Sequence, residues 1–375
     1  MKKLLAVLLL SVMVLGVTGA AWAEDREPAT PELTIEEAVE MALKNSKKIM
    51  SSKISIDAAY ETRQQASRYA FGFTASNDFY EDTAAMRYLA SLQRADVAWQ
   101  INRKSQILLE DSITFAAHQV YYKLLQEIAA VNQYEIEKKD AELQRTVAQA
   151  RFKVGLLQQL DMERVEVAVV TANSNLDKAR ESLAYAYINF NYLVGLWPND
   201  RPILTEVPEY EQLEVINLNN FIERSLTDNP SIWQKEKSVD LARYAVEGFN
   251  FNDPQAGSYR VKELELDQAI LSAADAKDEA RKKLKELYYD IRKTEEQLPV
   301  LEQSIKLSKE SLRVISLRYE AGMATRSEVV SAETALAKVE KSMLDLVCGH
   351  DLQKKAFTKP WVMAMASQAP SQSGD

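Results

Sequence analysis

A short pattern that occurs twice constrains this chain more than any other feature. Arg151-Phe152-Lys153-Val154-Gly155-Leu156-Leu157 is followed by Asp161-Met162-Glu163-Arg164-Val165-Glu166, and Arg318-Tyr319-Glu320-Ala321-Gly322-Met323-Ala324 by Glu328-Val329-Val330-Ser331-Ala332-Glu333. A constant shift of 167 positions lays Arg on Arg, Phe152 on Tyr319, Gly on Gly and Asp161 on Glu328. Long apolar-periodic segments flank both copies. Each copy therefore predicts the tip of a helix-turn-helix hairpin.

The flanking periodicity says what kind of hairpin. After the first tip, Met162, Val165, Val169, Ala172, Leu176, Ala179, Leu183, Ala186, Phe190 and Leu193 recur with steps of three and four. Val329, Ala332, Leu336, Val339, Met343 and Leu346 do the same after the second, and Leu301, Ile305, Ser308, Leu312, Ile315 and Tyr319 before it. A sustained period of ~3.5 marks helices that supercoil about one another, and the alanines permit close approach. Gly155 and Gly322 stand where a left-handed residue ends a helix. Thr325 with Glu328 has capping-box spacing for the next helix, whereas Gln158 with Asp161 is a weaker start.

The duplication extends beyond the tips. Thr34 with Glu37 is a capping box opening a helical run, and Ala42 to Ile49 is echoed by Ser225 to Ile232 at a shift of 183. Val120-Tyr121-Tyr122 matches Leu287-Tyr288-Tyr289 at the tip shift of 167, so the second repeat lacks 183 minus 167, or 16, residues between Ile232 and Tyr288. Pro198, Pro202 and Pro208 mark a linker, and Pro299 inside a helical pattern predicts a kink or break. The chain divides into a signal peptide (1–23), repeat one (24–195), linker (196–216), repeat two (217–357) and a disordered tail (358–375). The helices before and after each tip are expected to reach ~50 residues or more, at ~1.5 Å per residue.

Lys2 and Lys3, the apolar Leu4 to Val17 and the small-x-small Ala21-Trp22-Ala23 read as an export signal. The short core and the charge that follows favour cleavage over a membrane anchor, and no Cys follows the site to carry a lipid. Cleavage removes two lysines and takes the formal charge from -9 to -11, which leaves no electrostatic footprint for nucleic acid. The single cysteine, Cys348, cannot form an intrachain disulfide and reads as a buried structural thiol. Ten glycines and ten prolines in 375 residues suit long helices.

The export signal, the opening Leu33-Thr34-Ile35-Glu36-Glu37-Ala38-Val39-Glu40-Met41-Ala42-Leu43-Lys44-Asn45, the tip Arg151 to Leu157, the closing Leu193-Val194-Gly195-Leu196-Trp197-Pro198 and the twofold repeat together resemble the TolC family of outer membrane efflux proteins. The resemblance covers residues 33 to about 350. It implies a protomer of two long antiparallel coiled-coil hairpins, three of which form a tunnel across the periplasm, with two strands from each repeat in a shared twelve-stranded outer membrane barrel; without those strands the fold is all-α. It also implies an exit duct in the outer membrane or periplasm, served by an inner-membrane pump through an adaptor protein. An exported coiled-coil interaction protein with no channel activity is the alternative.

The departure from the family lies in its barrel strands. Two membrane strands and a turn need ~22 residues. Repeat two offers only Phe249 to Ser258 between helical patterns, and repeat one only Tyr69 to Thr83, where Tyr69, Phe71 and Phe73 alternate with Ala70 and Gly72 like a strand. The barrel strands are expected to be absent or vestigial.

By the same resemblance, Gly155, Leu156, Leu157, Gly322, Met323 and Ala324 fall where the tunnel mouth meets the adaptor, with plain turn formation the competing reading. Asp161 and Tyr319 fall where the family closes its tunnel entrance. The basic residue expected two after Gly322 is Ala324, with Arg326 displaced by two, so helix capping by Asp161 and seam packing by Tyr319 are favoured. Nothing supports an enzyme, a cofactor or a metal. His118 and His350 stand alone without a second ligand at metal spacing, no glycine-rich phosphate loop occurs, and the paired tyrosines read as packing layers.

Overall fold

The computed structural model describes residues 27–73, 83–249, 251 and 257–362; the signal peptide and the tail beyond 362 lie outside them. The described residues form eight helices: α1 (Ile35–Asn45), α2 (Lys47–Phe73), α3 (Thr83–Lys153), α4 (Gln159–Val194), α5 (Leu218–Asp228), α6 (Pro230–Glu247), α7 (Tyr259–Glu320) and α8 (Arg326–Thr358). Two strands of two residues each, β1 (Glu32–Leu33) and β2 (Ile203–Leu204), pair in parallel, Glu32 with Ile203 and Leu33 with Leu204.

The duplication is visible element by element. Helices α1 and α5 are both 11 residues long, and each breaks at a capping residue, Ser46 (φ -69°, ψ 110°) or Asn229 (φ -69°, ψ 113°). The break recurs because both side chains cap the helix that follows. Ser46 Oγ accepts from the Ile49 amide and Asn229 Oδ1 from the Ser231 amide. The sixteen missing residues are accounted for by the arms. Helix α6 has 18 residues against 27 in α2, and α7 has 62 against 71 in α3. Each arm is nine shorter, while the gap between arms grows from nine residues (74–82) to eleven (248–258).

The long helices lie side by side in the order α4, α3, α8, α7. Beyond the reach of α4, the upper part of α3 packs on α2 and α6, and α6 packs on α7. Three apolar clusters sit where the layers meet. Two of them are repeat counterparts. Tyr121, Leu124 and Phe190 fill the first, Tyr288, Ile291 and Phe357 the second, each 167 positions apart. Cys348 is fully buried in the first cluster, and burial pushes its thiol up to about 12.

Five expectations need correction. The alternation at Tyr69 to Phe73 is helical, because α2 runs to Phe73 and Tyr69 stacks on Tyr88 of α3 at 5.8 Å. Pro299 does not break α7; it lies on an exposed face one residue after the buried Leu298, so packing carries the helix past the lost hydrogen bond. The helices after the tips have 36 and 33 residues, short of ~50, because they end at the apolar clusters while α3 and α7 continue past them. The linker is more than a connection. Tyr121 donates from its hydroxyl to the carbonyls of Leu33 (3.3 Å) and Glu206 (3.2 Å), and the Leu213 amide donates to Glu295 (2.7 Å). The tail expected to be disordered from 358 is ordered as far as it is described: Thr358 ends α8, and Lys359 (2.5 Å) and Trp361 (2.8 Å) hold the next residues against Asp111 of α3.

Candidate functional site: the tips and the seams

Both tips close by one hydrogen-bond pattern. The Gly155 amide donates to the Phe152 carbonyl (3.0 Å) and the Leu156 amide to the Arg151 carbonyl (2.9 Å). Gly322 donates to Tyr319 (2.9 Å) and Met323 to Arg318 (2.7 Å). These are the paired bonds of a Schellman motif, which require a left-handed residue at the position both glycines fill, at φ 75° and 71°. A Cβ on either glycine would meet nothing within 4 Å, so the backbone angle alone calls for glycine.

The residue after the glycine in this motif commonly packs back on its own helix. Here Leu156 is 77% and Met323 75% exposed, so each tip presents a large apolar side chain to solvent. Leu157 and Ala324 are half-buried beside them. The returning helices start differently. Thr325 and Glu328 form the full capping box, with the Thr325 amide 2.5 Å from Glu328 Oε2, and this bond with that of the Thr325 hydroxyl holds the Glu328 carboxyl below its ordinary range. Gln158 makes no side-chain cap.

The residues matched to the family's entrance contacts do not meet within one chain. Asp161 accepts from Arg164 Nη1 at 3.3 Å, an exposed pair inside the first turn of α4. Tyr319 is exposed, and its carbonyl receives the Gly322 amide. Among the described residues, no hydrogen bond or ion pair joins Asp161, Tyr319 and Arg326. The two histidines are likewise apart. His118 lies 2.8 Å from the Thr114 carbonyl, and buried His350 lies 3.3 Å from Glu295 beneath Tyr210. No group of three metal-ligating side chains occurs among the described residues.

The seam between the repeats leaves no mark in the heptad pattern. Where α3 meets α8, Tyr122 donates to Asp351 (2.6 Å), Ser331 to Asp140 (2.8 Å), and Lys338 pairs with Glu137 (3.0 Å). A shift of 167 carries the α8 face of this seam onto α4 and the α3 face onto α7, and there the same positions are bare. Thr334 is 7% exposed but its counterpart Val167 is 64% exposed; Tyr122 is 4% exposed but Tyr289 is 65% exposed. At ~100° per residue, the exposed Leu160, Val167, Val170, Tyr185, Ile188 and Tyr192 share one face of α4, and Leu264, Leu271, Tyr289, Val300 and Leu307 share one face of α7. The heptads had assigned these residues no partner, so the signal was the mismatch of large apolar residues outside the seam positions.

No protein-family model matches this chain, and no curated protein matches it in sequence. Solved structures do match. The chain is similar to CusC, described by its transmembrane channel formation, with a TM-score of 0.67 at 12% identity over 91% of this chain and 95% of that one. It is similar to the Campylobacter jejuni CmeC outer membrane channel, with a TM-score of 0.67 at 10% identity over 90% of both chains. It is also similar to the outer membrane protein VceC of Vibrio cholerae, with a TM-score of 0.64 at 13% identity over 88% of this chain and 95% of that one. The architecture is similar to that of these outer membrane proteins. The chain has a TolC-like, all-α fold with no pair of membrane strands among the described residues.

Proposed function

We propose that this chain is one protomer of a TolC-like efflux or secretion duct, exported from the cytoplasm and placed at the outer membrane or in the periplasm. The observation that carries the reading is the pair of bare seam faces. A wall of four long helices ends on each side in an apolar stripe, on α4 and on α7, and the two stripes are repeat counterparts of surfaces that already fit each other inside the chain. A second copy therefore seals the first by the contact the chain makes with itself. Such a head-to-tail contact closes into a ring when its rotation permits. Three copies are the number the TolC resemblance implies.

The tips supply the second half of the reading. The side chains of Leu156 and Met323 stand in solvent at 77% and 75% exposure, and apolar side chains at the apex of a rigid hairpin suit a helical partner. In the duct reading that partner is the hairpin of a periplasmic adaptor, which joins the duct to an inner-membrane pump. Docking is the role proposed for Gly155, Leu156, Leu157, Gly322, Met323 and Ala324. Asp161, Tyr319 and Arg326 can act as entrance contacts only between copies, since one chain does not bring them together.

Light scattering on residues 24–375, extracted from cell envelopes, tests the reading. A particle of three chains is expected. A monomer at micromolar concentration, with both stripes in water, would overturn the duct and leave an exported interaction protein.

A further inference from the structure

The second repeat departs from the first in one layer of side chains. A shift of 167 lays Arg292, Glu295 and His350 on Leu125, Ile128 and Leu183. The three apolar residues pack against the first apolar cluster. Their counterparts are a cation, a carboxylate and an imidazole, and Glu295 and His350 are both buried. Burying a carboxylate is costly unless it is paired and hydrogen-bonded, so its partners show what this layer holds.

The partner from outside the hairpin is the linker. Glu295 Oε1 accepts from the Leu213 amide at 2.7 Å and lies 3.3 Å from His350 Nε2, and Oε2 accepts from Arg292 Nη1 at 2.8 Å. The Tyr210 ring tilts over the His350 ring with centroids 5.2 Å apart. One turn further along α8, Lys354 Nζ donates to the Glu211 carbonyl at 2.9 Å and approaches its carboxylate at 3.4 Å. Leu213 and Val215 then pack on the second apolar cluster. Of the other charged groups nearby, Glu302 of α7 lies near Tyr210, and Asp351 of α8 turns to Tyr122 of α3.

The segments that lead into α1 and α5 are thus fastened differently. Thr34 and Asn217 are their matched N-caps, at the shift of 183. Just before them, Leu33 is buried and its carbonyl accepts from Tyr121, whereas Ile216 is fully exposed and the Tyr288 hydroxyl accepts from Arg292. The upstream end of the linker is gripped by Tyr121, whose hydroxyl donates to the Glu206 carbonyl (3.2 Å) and accepts from the Glu206 amide (3.1 Å). Those groups are neutral, and the exposed Glu206 carboxylate on the Ile35 amide (3.1 Å) adds to them. At the downstream end the grip is a buried carboxylate.

We propose that residues 209–215 form an acid-released latch: ionised Glu295 clamps them on the second hairpin, and its protonation frees them while Tyr121 keeps its grip on Glu206. Burial pushes the Glu295 carboxyl up, but the Leu213 amide, His350 and Arg292 together hold it below its ordinary value. The clamp is therefore complete above about pH 4.5 and is lost as pH falls through the lower, folded value. A neutral carboxyl leaves the half-buried Arg292 without its counter-charge and gives the Leu213 amide a weaker acceptor. The inference concerns a single chain and does not need copies to meet at the seams.

A nitroxide on Gln212→Cys, an exposed position within the latch, tests it when read by electron paramagnetic resonance from about pH 7 to about pH 3. Residues 24–375 carry the label, and the parent chain treated alike gives the background from the buried Cys348. The immobilised part of the spectrum is expected at neutral pH and should be lost in acid while circular dichroism stays helical. A label on Val207→Cys, beside the Tyr121 grip, should show no such step. Glu295→Gln should abolish the step at 212. Arg292→Leu, Glu295→Ile and His350→Leu together install the apolar layer of the first repeat, and this chain too should fold without an acid step. A label at 212 that stays immobile throughout in the folded parent, a step that survives in either variant, or release that comes only with loss of the helices would overturn the proposal.

Discussion

Tyr122 and Tyr289 occupy the same place in their repeats and have opposite fates. Tyr122 is buried and donates a 2.6 Å hydrogen bond to Asp351, while Tyr289 faces solvent and would find Ala184 where its counterpart finds a carboxylate. Burial and that bond raise the Tyr122 hydroxyl far above its ordinary value, so it stays a donor. Tyr122→Phe should lower stability by about 1–2 kcal/mol in urea unfolding, and Tyr289→Phe should change it by less than about 0.5 kcal/mol in the isolated chain.

Phe190 and Phe357 are the matched pair that does stay equivalent. Each closes an apolar cluster from the last turns of its hairpin's returning helix, against Tyr121 in one repeat and Tyr288 in the other. Truncation to Ala should cost about 3–5 kcal/mol at either site. Unequal losses, measured by thermal unfolding, would show that the two clusters do not do the same work.

At the tips, stability and docking should separate. Gly322→Ala places a Cβ at φ 71° and should cost about 1 kcal/mol although nothing obstructs it. Leu156→Ser with Met323→Ser should leave the unfolding midpoint unchanged and abolish capture of the adaptor hairpin. An adaptor that binds this variant as well as the parent would remove the tips from the interface.

Glu295 makes part of the fold sensitive to acid. Burial alone would raise its carboxyl, but the Leu213 amide, His350 and Arg292 together outweigh burial and hold it below the ordinary 4.5. Its contribution is therefore complete above about pH 4.5 and is lost as pH falls through the lower, folded value. Glu295→Gln should flatten that section of a stability–pH profile. A profile that keeps the same slope would assign the acid sensitivity elsewhere.

Much of the architecture was legible because it repeats locally. Gly155 and Gly322, Thr34 and Thr325, and the heptads at Val169 to Phe190 each act within a few residues, and periodicity reads such interactions directly. What stayed hidden is non-local. The pairing of Glu32 with Ile203 joins residues 171 apart through strands too short to have a pattern, and the Leu213 amide reaches Glu295 from an irregular segment. The seam was half-legible. Val167, Tyr185 and Tyr192 stand outside the heptad positions in the sequence, but only the packed counterparts Thr334 and Leu352 show which surface they copy.

In the proposed duct, α4 of one copy meets α7 of the next as α8 meets α3 within the chain. Lys338 pairs with Glu137 across the internal seam at 3.0 Å, and the counterpart positions are Thr171 and Ser304. With Thr171→Cys and Ser304→Cys in one chain, oxidation in intact cells should give a ladder ending at a covalent ring of three, while either substitution alone should give none. The double variant running as a monomer under the same oxidation would rule out this contact.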